Sequence, residues 1–189
     1  LAHDLYHQLG LTDLEIHLNS VGCPHCRQEY KTALTAALKA AAAKLCTTCQ
    51  LRLDRNPLRL LDCKNASCQE IISQVPPIQN YHCADCRHHF DQVVALLAEV
   101  DVKYKLSPKL VRGLDYYSRT VFEIINNELG AQNALCGGGR YDGLVEECGG
   151  PSVPGVGFAS GIERVLTTLE QKGILADFQV SFGDISSVI

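Results

Sequence analysis

The segment spanning residues 110–117 reads LVRGLDYY, and it concentrates more binding chemistry than any other stretch of the chain. Arg112 carries a permanent charge on a planar fork of donors that suits phosphate or carboxylate. Gly113 lets a ligand come close to the backbone. Asp115 is an acceptor for an ammonium group, and Tyr116 and Tyr117 supply aromatic walls that also carry hydroxyls. Two later blocks again combine glycine, charge and an aromatic ring: GGGRYDGL at 137–144, with a tyrosine, and GFASGIER at 157–164, with a phenylalanine. In the first, Gly137, Gly138 and Gly139 allow a strand to run against a ligand without side-chain clash, and Tyr141 adds a third phenol. In the second, Gly161 makes room beside a second cation, Arg164. Taken alone, each arginine is as readily a surface salt bridge and each tyrosine a packed aromatic; the clustering is what points to a site.

A different chemistry occupies the first half. Eight of the ten cysteines fall into four close pairs: Cys23 with Cys26, Cys46 with Cys49, Cys63 with Cys68, and Cys83 with Cys86. Three have the C-x-x-C spacing that brings two thiolates to one tetrahedral ion, and the fourth is a slightly wider knuckle. Eight thiolates make up to two structural zinc sites, with His25 or His82 able to replace a thiolate. Redox pairs and disulfides are the competing readings; a disulfide framework belongs to small secreted domains, and no signal-peptide pattern opens this sequence. A metal here would tie down loops of a small lobe with a thin core. Cys136 and Cys148 stand apart and read as neutral thiols.

The elements that must position these residues follow from periodicity. A helical stripe runs over 1–11 with Gly10 as its stop, and Leu14, Ile16 and Leu18 alternate as a strand. A helix is expected over 27–45 on the stripe Tyr30, Leu34, Leu38, Ala41 and Leu45, and another over 87–100 with Phe90, Val93, Val94 and Leu97 on one face. After Lys105 glycine and β-branched residues dominate. Strands are expected at 120–125 and 154–159, with 134–140 a strand or its turn, followed by a helix over 161–172. The pattern is α+β, an antiparallel sheet closed by a helix, with a mainly helical Cys-rich insertion. A 189-residue chain that is 46% hydrophobic can bury a core, and a net charge of −4 gives no global field for nucleic acid. No apolar run reaches membrane-span length, so no membrane partner is expected and a cytoplasmic location is. The chain contains no methionine and opens within a helical pattern, so it is expected to be a stretch of a longer protein.

In this order the three blocks resemble the second half of the catalytic domain of bacterial histidyl-tRNA synthetases. LVRGLDYY and GGGRYDGL resemble the two histidine-specific motifs of that family, and GFASGIER resembles motif 3 of class II synthetases. The likeness extends through NSVGC, RNPLRLLDCK and FDQVVALL, and so over nearly the whole chain. It implies part of a class II antiparallel-sheet catalytic domain, running from after motif 2 through motif 3. Catalytic-domain segments are expected at 1–22 and 105–175, the Cys-rich lobe at 23–104, and a tail at 176–189 that does not resemble what usually follows motif 3.

The resemblance also implies roles. Arg112 would stabilise the α-phosphate during adenylate formation, where a carboxylate attacks an anionic phosphate. Tyr116, Tyr117, Gly139 and Tyr141 would line the histidine and adenylate pocket, and Gly161 and Arg164 would contact ATP, which brings Mg²⁺ with it. Histidine, ATP and histidine tRNA would be the substrates, and the full-length protein a homodimer. The Cys-rich lobe would lie near the acceptor arm of tRNA, with Arg52, Arg55, Arg59 and Lys64 as phosphate contacts or simply a solvated basic face. Nothing resembles motif 1, motif 2 or the anticodon-binding domain, so this stretch alone is expected to be inactive. Two rivals remain at this point. One is a non-catalytic paralogue such as the regulatory subunit of ATP phosphoribosyltransferase, against which the intact octapeptide argues. The other is a zinc-binding RNA module, against which the complete motif 3 argues.

Overall fold

The core of the molecule is a five-stranded sheet, in a computed structural model that describes residues 1–111 and 116–177. Its strands are β1 (Glu15–Ser20), β2 (Lys105–Leu106), β3 (Ser118–Ile125), β4 (Ala134–Arg140) and β5 (Val156–Ser160), in the order β2-β1-β3-β4-β5. Every pairing is antiparallel except β1 with β2. That two-strand parallel contact was not legible in the sequence, because Lys105–Leu106 is too short to show alternation.

Register divides the sheet into two unlike faces. Asn19 opposes Val121, His17 opposes Glu123, Val121 opposes Gly139, and Gly139 opposes Gly157. Side chains opposite one another share a face, so Gly137, Gly139, Gly157 and Ala159 form a floor almost without side chains. The other face carries Ile16, Leu18, Phe122, Ile124 and Cys136. It is covered by α1 (Ala2–Gln8) and α7 (Ile162–Gln171), with Tyr6, Leu11, Leu135 and Leu169 buried among them. Gly10 takes φ +83° to turn the chain out of α1, as its place after the helical stripe predicts. Between α1 and the helix at Ala84–Glu99 lies an apolar cleft of about 420 Å³, lined by Leu1, Leu18, Val93, Leu97 and Phe122.

Between β1 and β2 come α2 (Pro24–Lys39), α3 (Thr47–Arg55), α4 (Ala66–Ser73) and α5 (Ala84–Glu99), linked by short 3-10 turns. The sequence predicts α2 and α5. Pro24 fits the first turn of α2, where its missing N–H costs nothing. The third and fourth helices are too short for a periodic stripe; Asn65 caps α4 by accepting from the Ser67 N–H at 3.0 Å. The core here is thicker than expected. Tyr30, Leu34, Leu38, Leu60 and Ile78 are each at most 1% exposed, and they are continuous with Leu110, Val111, Tyr117 and Val121. The helices thus pack directly against Leu110, Val111 and Tyr117 and the start of β3. By contrast, α5 buries only Cys86, and its expected face of Phe90, Val93, Val94 and Leu97 is half-exposed. Beyond β4 the short α6 (Leu144–Glu147) leads into β5.

Candidate functional site

Three tyrosines converge over the glycine floor. The ring centroids of Tyr116 and Tyr117 are 4.7 Å apart, those of Tyr116 and Tyr141 5.9 Å, and those of Tyr117 and Tyr141 6.4 Å. The last two pairs meet edge-on, as ring quadrupoles prefer. Tyr117 is buried and its partners are half-buried, so one side of the cluster faces solvent. The glycines are required by this packing. A Cβ on Gly139 would lie 2.5 Å from the Thr120 carbonyl oxygen and 2.9 Å from Tyr117 Cδ1. One on Gly155 would lie 2.3 Å from Tyr141 Cε2, and one on Gly157 2.7 Å from the Tyr141 hydroxyl. Gly155 and Gly157 therefore seat Tyr141 on β5, a role the sequence did not disclose.

A bulge in β3 sets the aim of this wall. The β3–β4 register shifts between Ser118 and Val121, and Arg119 sits there at φ +54°, rare for a residue with a side chain. Its backbone is held on both sides: Arg119 N–H donates to the Gly22 carbonyl at 2.8 Å, and Val21 N–H donates to the Arg119 carbonyl at 2.7 Å. The following turn is fixed by the Asp142 N–H bond to Ser118 Oγ at 3.1 Å and the Tyr141 N–H bond to the Gly155 carbonyl at 2.8 Å. Arg140 is clasped by Asp142, with Nε at 2.6 and 2.8 Å from the two carboxylate oxygens. Its Nη1 lies 3.5 Å from His89 Nε2. Burial, with the Arg119 and Arg140 cations nearby, holds the His89 imidazole below its ordinary range, so it stays neutral and can accept from Arg140.

Arg164 donates from Nη1 to the Ala134 carbonyl at 2.7 Å and folds beside Gly161, whose missing side chain leaves that space open. Arg112, Gly113 and Asp115 lie outside the described residues. A polar cleft of about 420 Å³ opens on the glycine-floor side, lined by His17, Glu123, Asp62, Lys64, Lys109 and Asn133. It brings Lys64 beside His17 and Glu123 of the sheet.

The eight paired cysteines assemble into two groups of four. Cys23, Cys26, Cys83 and Cys86 form one, and Cys46, Cys49, Cys63 and Cys68 the other, with all four sulfurs of each group within 4.8 Å of one another. No disulfide joins any of the ten cysteines. The Cys23 and Cys26 sulfurs are 3.5 Å apart and those of Cys46 and Cys63 3.9 Å. A tetrahedron with zinc–sulfur bonds of about 2.3 Å has sulfur–sulfur edges of about 3.8 Å, so both groups have the spacing for one ion. Neither candidate histidine joins them: His25 is exposed beside Glu29, and His82 donates from Nε2 to the Ser20 carbonyl at 3.2 Å. Cys136 is buried in the helix-covered sheet face, and Cys148 is exposed.

Each group lies where helices begin. Cys23, Cys46 and Cys83 are the N-cap residues of α2, α3 and α5, and Cys26, Cys49, Cys68 and Cys86 fall in first turns. Backbone N–H groups there point at sulfur: Cys23 N–H to Cys86 Sγ, Cys83 N–H to Cys26 Sγ and Cys46 N–H to Cys68 Sγ, each 3.2 Å. Such donors favour thiolate. For Cys46, the Cys49 backbone N–H leads in bringing the thiol down to about 7. Burial opposes ionisation of Cys23, but the Cys26 backbone and the Cys26 and Cys86 side chains outweigh it and bring it to about 7. Burial pushes Cys86 up to about 12 and raises Cys49 as well.

Against known proteins, a family model for histidyl-tRNA synthetase matches residues 3–165. A histidine–tRNA ligase of Caldanaerobacter subterraneus subsp. tengcongensis is 53% identical over 174 residues, covering 92% of this chain and 42% of that protein. The crystal structure of apo S. aureus histidyl-tRNA synthetase aligns with a TM-score of 0.70 at 37% identity, over 91% of this chain and 42% of that one. A Bacillus halodurans C structure described as an ATP phosphoribosyltransferase regulatory subunit/histidyl-tRNA synthetase aligns at 0.53 and 20% identity, over 87% and 47%, a likeness of fold alone. The chain spans about two fifths of the length of the curated relatives it matches.

Proposed function

The chain belongs to the histidyl-tRNA synthetase family, and we propose that the protein carrying it ligates histidine to its tRNA through a histidyl-adenylate formed from ATP. The observation that carries the reading is the tyrosine wall over a side-chain-free floor, built from the two blocks that resemble the histidine motifs. In it, Tyr116, Tyr117 and Tyr141 enclose the imidazole and offer hydroxyls to its nitrogens. A site that hydrogen-bonds both nitrogens rejects side chains that would leave its groups unpaired. Gly139 lets the ligand lie on the strand. Arg112 supplies the cation at the α-phosphate, where charge builds as the histidine carboxylate attacks and pyrophosphate leaves. Gly161 and Arg164 receive the nucleotide, whose Mg²⁺ neutralises its outer phosphates. Arg164 would exchange its Ala134 carbonyl partner for ATP.

The sheet segments 1–22 and 105–175 then form the catalytic unit, and 23–104 the inserted lobe that meets the tRNA acceptor arm. The full-length protein works as a homodimer in the cytoplasm. In each four-cysteine group a structural zinc ion would be held by thiolates, supplying cross-linking of loops and no step of the reaction. Its support is the sulfur spacing and the N–H donors around it.

The test is histidine-dependent ATP–pyrophosphate exchange and tRNA charging by the purified full-length protein. Exchange with histidine and with no other amino acid is expected, and its absence overturns the reading. Arg112→Ala should lower exchange by roughly two orders of magnitude or more while histidine binding changes less. Near-normal exchange in that variant removes the Arg112 assignment alone.

A further inference from the structure

The two cysteine groups are built alike but are wired differently. In each C-x-x-C or wider pair the residue after the second cysteine is Arg27, Gln50, Gln69 or Arg87. Three of these donate to the loop that holds their own cysteines. Arg87 Nη1 bonds the His82 carbonyl, Gln50 Nε2 the Leu45 carbonyl at 2.9 Å, and Gln69 Nε2 the Cys63 carbonyl. The fourth, Arg27, donates from Nη1 to the carbonyl of Tyr117, the buried wall of the tyrosine cluster. Immediately before Cys23, Gly22 accepts from the Arg119 N–H at the β3 bulge. Gly22 sits at φ +69°, and a Cβ on it would lie 2.7 Å from Cys26 Cβ. The first group therefore touches the pocket backbone at two points, residues 117 and 119, through residues one position away from a cysteine ligand. The second group reaches the same loop through an exposed Lys109 Nζ–Gln69 Oε1 bond of 2.9 Å and through the shared apolar core.

We infer that a divalent, thiophilic ion held by Cys23, Cys26, Cys83 and Cys86 is a positioning device for the histidine pocket. It acts through Arg27 on Tyr117 and through Gly22 on Arg119. The inference rests on the zinc and histidine readings above. The physical argument is one of leverage. Four thiolates on one ion hold the first turns of α2 and α5 together and fix Arg27 relative to the strand that precedes it. An ion bound by four thiolates keeps a net charge of −2, and Arg27 and Arg87, each next to a ligand, offset it. Without the ion, the Cys26 turn loses its cross-link to Cys83 and Cys86, and the donor to the Tyr117 carbonyl loses its fixed origin. Ions in the second group hold α3 and α4 and bear on the pocket weakly.

The experiment uses the full-length protein and three variants: Cys83→Ser with Cys86→Ser, Cys63→Ser with Cys68→Ser, and Arg27→Gln. Zinc is counted by elemental analysis, amide hydrogen exchange is followed over 116–121, and KM and kcat for histidine are measured by pyrophosphate exchange. Wild type should hold two zinc ions per chain, and each double variant one. Loss at the first group should speed exchange at 116–121 and raise the histidine KM about tenfold, against less than threefold for loss at the second. Arg27→Gln should keep both ions yet raise the histidine KM several-fold, with Arg27→Lys recovering part of it. This non-ligand variant separates positioning from misfolding. Equal effects of the two double variants, or an Arg27→Gln variant with unchanged KM and unchanged protection at 116–121, overturn the inference. Wild type without bound zinc overturns the metal reading and the inference with it. Wild type without histidine-dependent exchange overturns the functional reading, while zinc counts and protection at 116–121 still decide the wiring.

Discussion

Adding one methyl group at Gly139 tests the packing that forms the pocket. The new Cβ would stand 2.5 Å from the Thr120 carbonyl oxygen, 2.9 Å from Tyr117 Cδ1 and 3.1 Å from Val121 Cα. A relaxed C–H···O contact is about 3.3–3.6 Å, so β3 and β4 must part by roughly 0.8 Å or more at this point. Two of the three obstacles are backbone of the paired strand, which cannot rotate away as a side chain would. Overpacking of this kind costs about 1–3 kcal/mol. For a unit of this size that lowers the thermal midpoint by roughly 2–12 °C. Tyr117 is the softest of the three neighbours, so part of the strain moves the pocket wall. A shift of 1.4 kcal/mol in ligand binding is about tenfold, and we expect the histidine KM of Gly139→Ala to rise by about that factor. Gly143→Ala, in the same sequence block, is the control. Its Cβ meets nothing nearer than Glu147 Oε1 at 3.8 Å, so stability should change by less than about 1 kcal/mol and KM should hold. Thermal unfolding and pyrophosphate exchange read both quantities. Wild-type stability and KM in Gly139→Ala would refute the packing argument.

The 189-residue chain by itself should show no histidine-dependent pyrophosphate exchange, because it spans about two fifths of its relatives and holds nothing resembling motif 2; exchange by a purified chain free of host enzyme would contradict this. Strong chelation should remove about two zinc ions per chain, one for each four-cysteine group. Amide exchange should then rise over 23–86 and 116–121 before it rises in β4 and in β3 beyond residue 121, and simultaneous loss of protection across the whole sheet would show that the metals do not hold the lobe. His89 provides a pH test. Its folded-state affinity for protons is lowered, so the unfolded chain binds more protons once pH drops below about 6.5, and stability falls from there downward. The thermal midpoint of His89→Gln should lose less than wild type between pH 7.5 and pH 5.5; parallel losses would assign the acid sensitivity elsewhere.

What the sequence disclosed and what it hid divide along local and non-local physics. β1 was legible because Leu14, Ile16 and Leu18 alternate, β3 and β4 because β-branched residues and glycine replace the helical pattern after Lys105, and α2 because Tyr30, Leu34 and Leu38 form a buried stripe. α3 and α4 were not, being nine and eight residues long. The cysteine pairs announced a tetrahedral ligand set, since three-residue spacing is local geometry. Their partnering did not follow, because it depends on how the chain returns. Cys83 meets Cys26 from 57 residues away, while the four ligands between them close on themselves. The tyrosines were found by their blocks, but Gly155, Gly157 and Arg27 were missed. A glycine's role shows only when its neighbour's ring is in place, and an arginine's only when the carbonyl it reaches is known.

That nested partnering has its own consequence. The outer group joins the residues just after β1 to those at the start of α5, so an ion there closes the neck of the lobe, and the inner group closes a loop within it. Cross-linking a longer loop removes more freedom from the unfolded chain, though only logarithmically. The gain in stability from the two ions should therefore be similar, and stability alone gives little reason to keep both. Position separates them. An ion in the outer group would be held one residue from Gly22 and one from Arg27, the two contacts to residues 119 and 117, and an ion in the inner group would sit among helices that reach residue 109 through an exposed lysine. On the zinc and histidine readings, four thiolates on one ion at this neck would fix the stretch of chain that contacts Tyr117 and Arg119, a constraint an ion in the inner group would not supply.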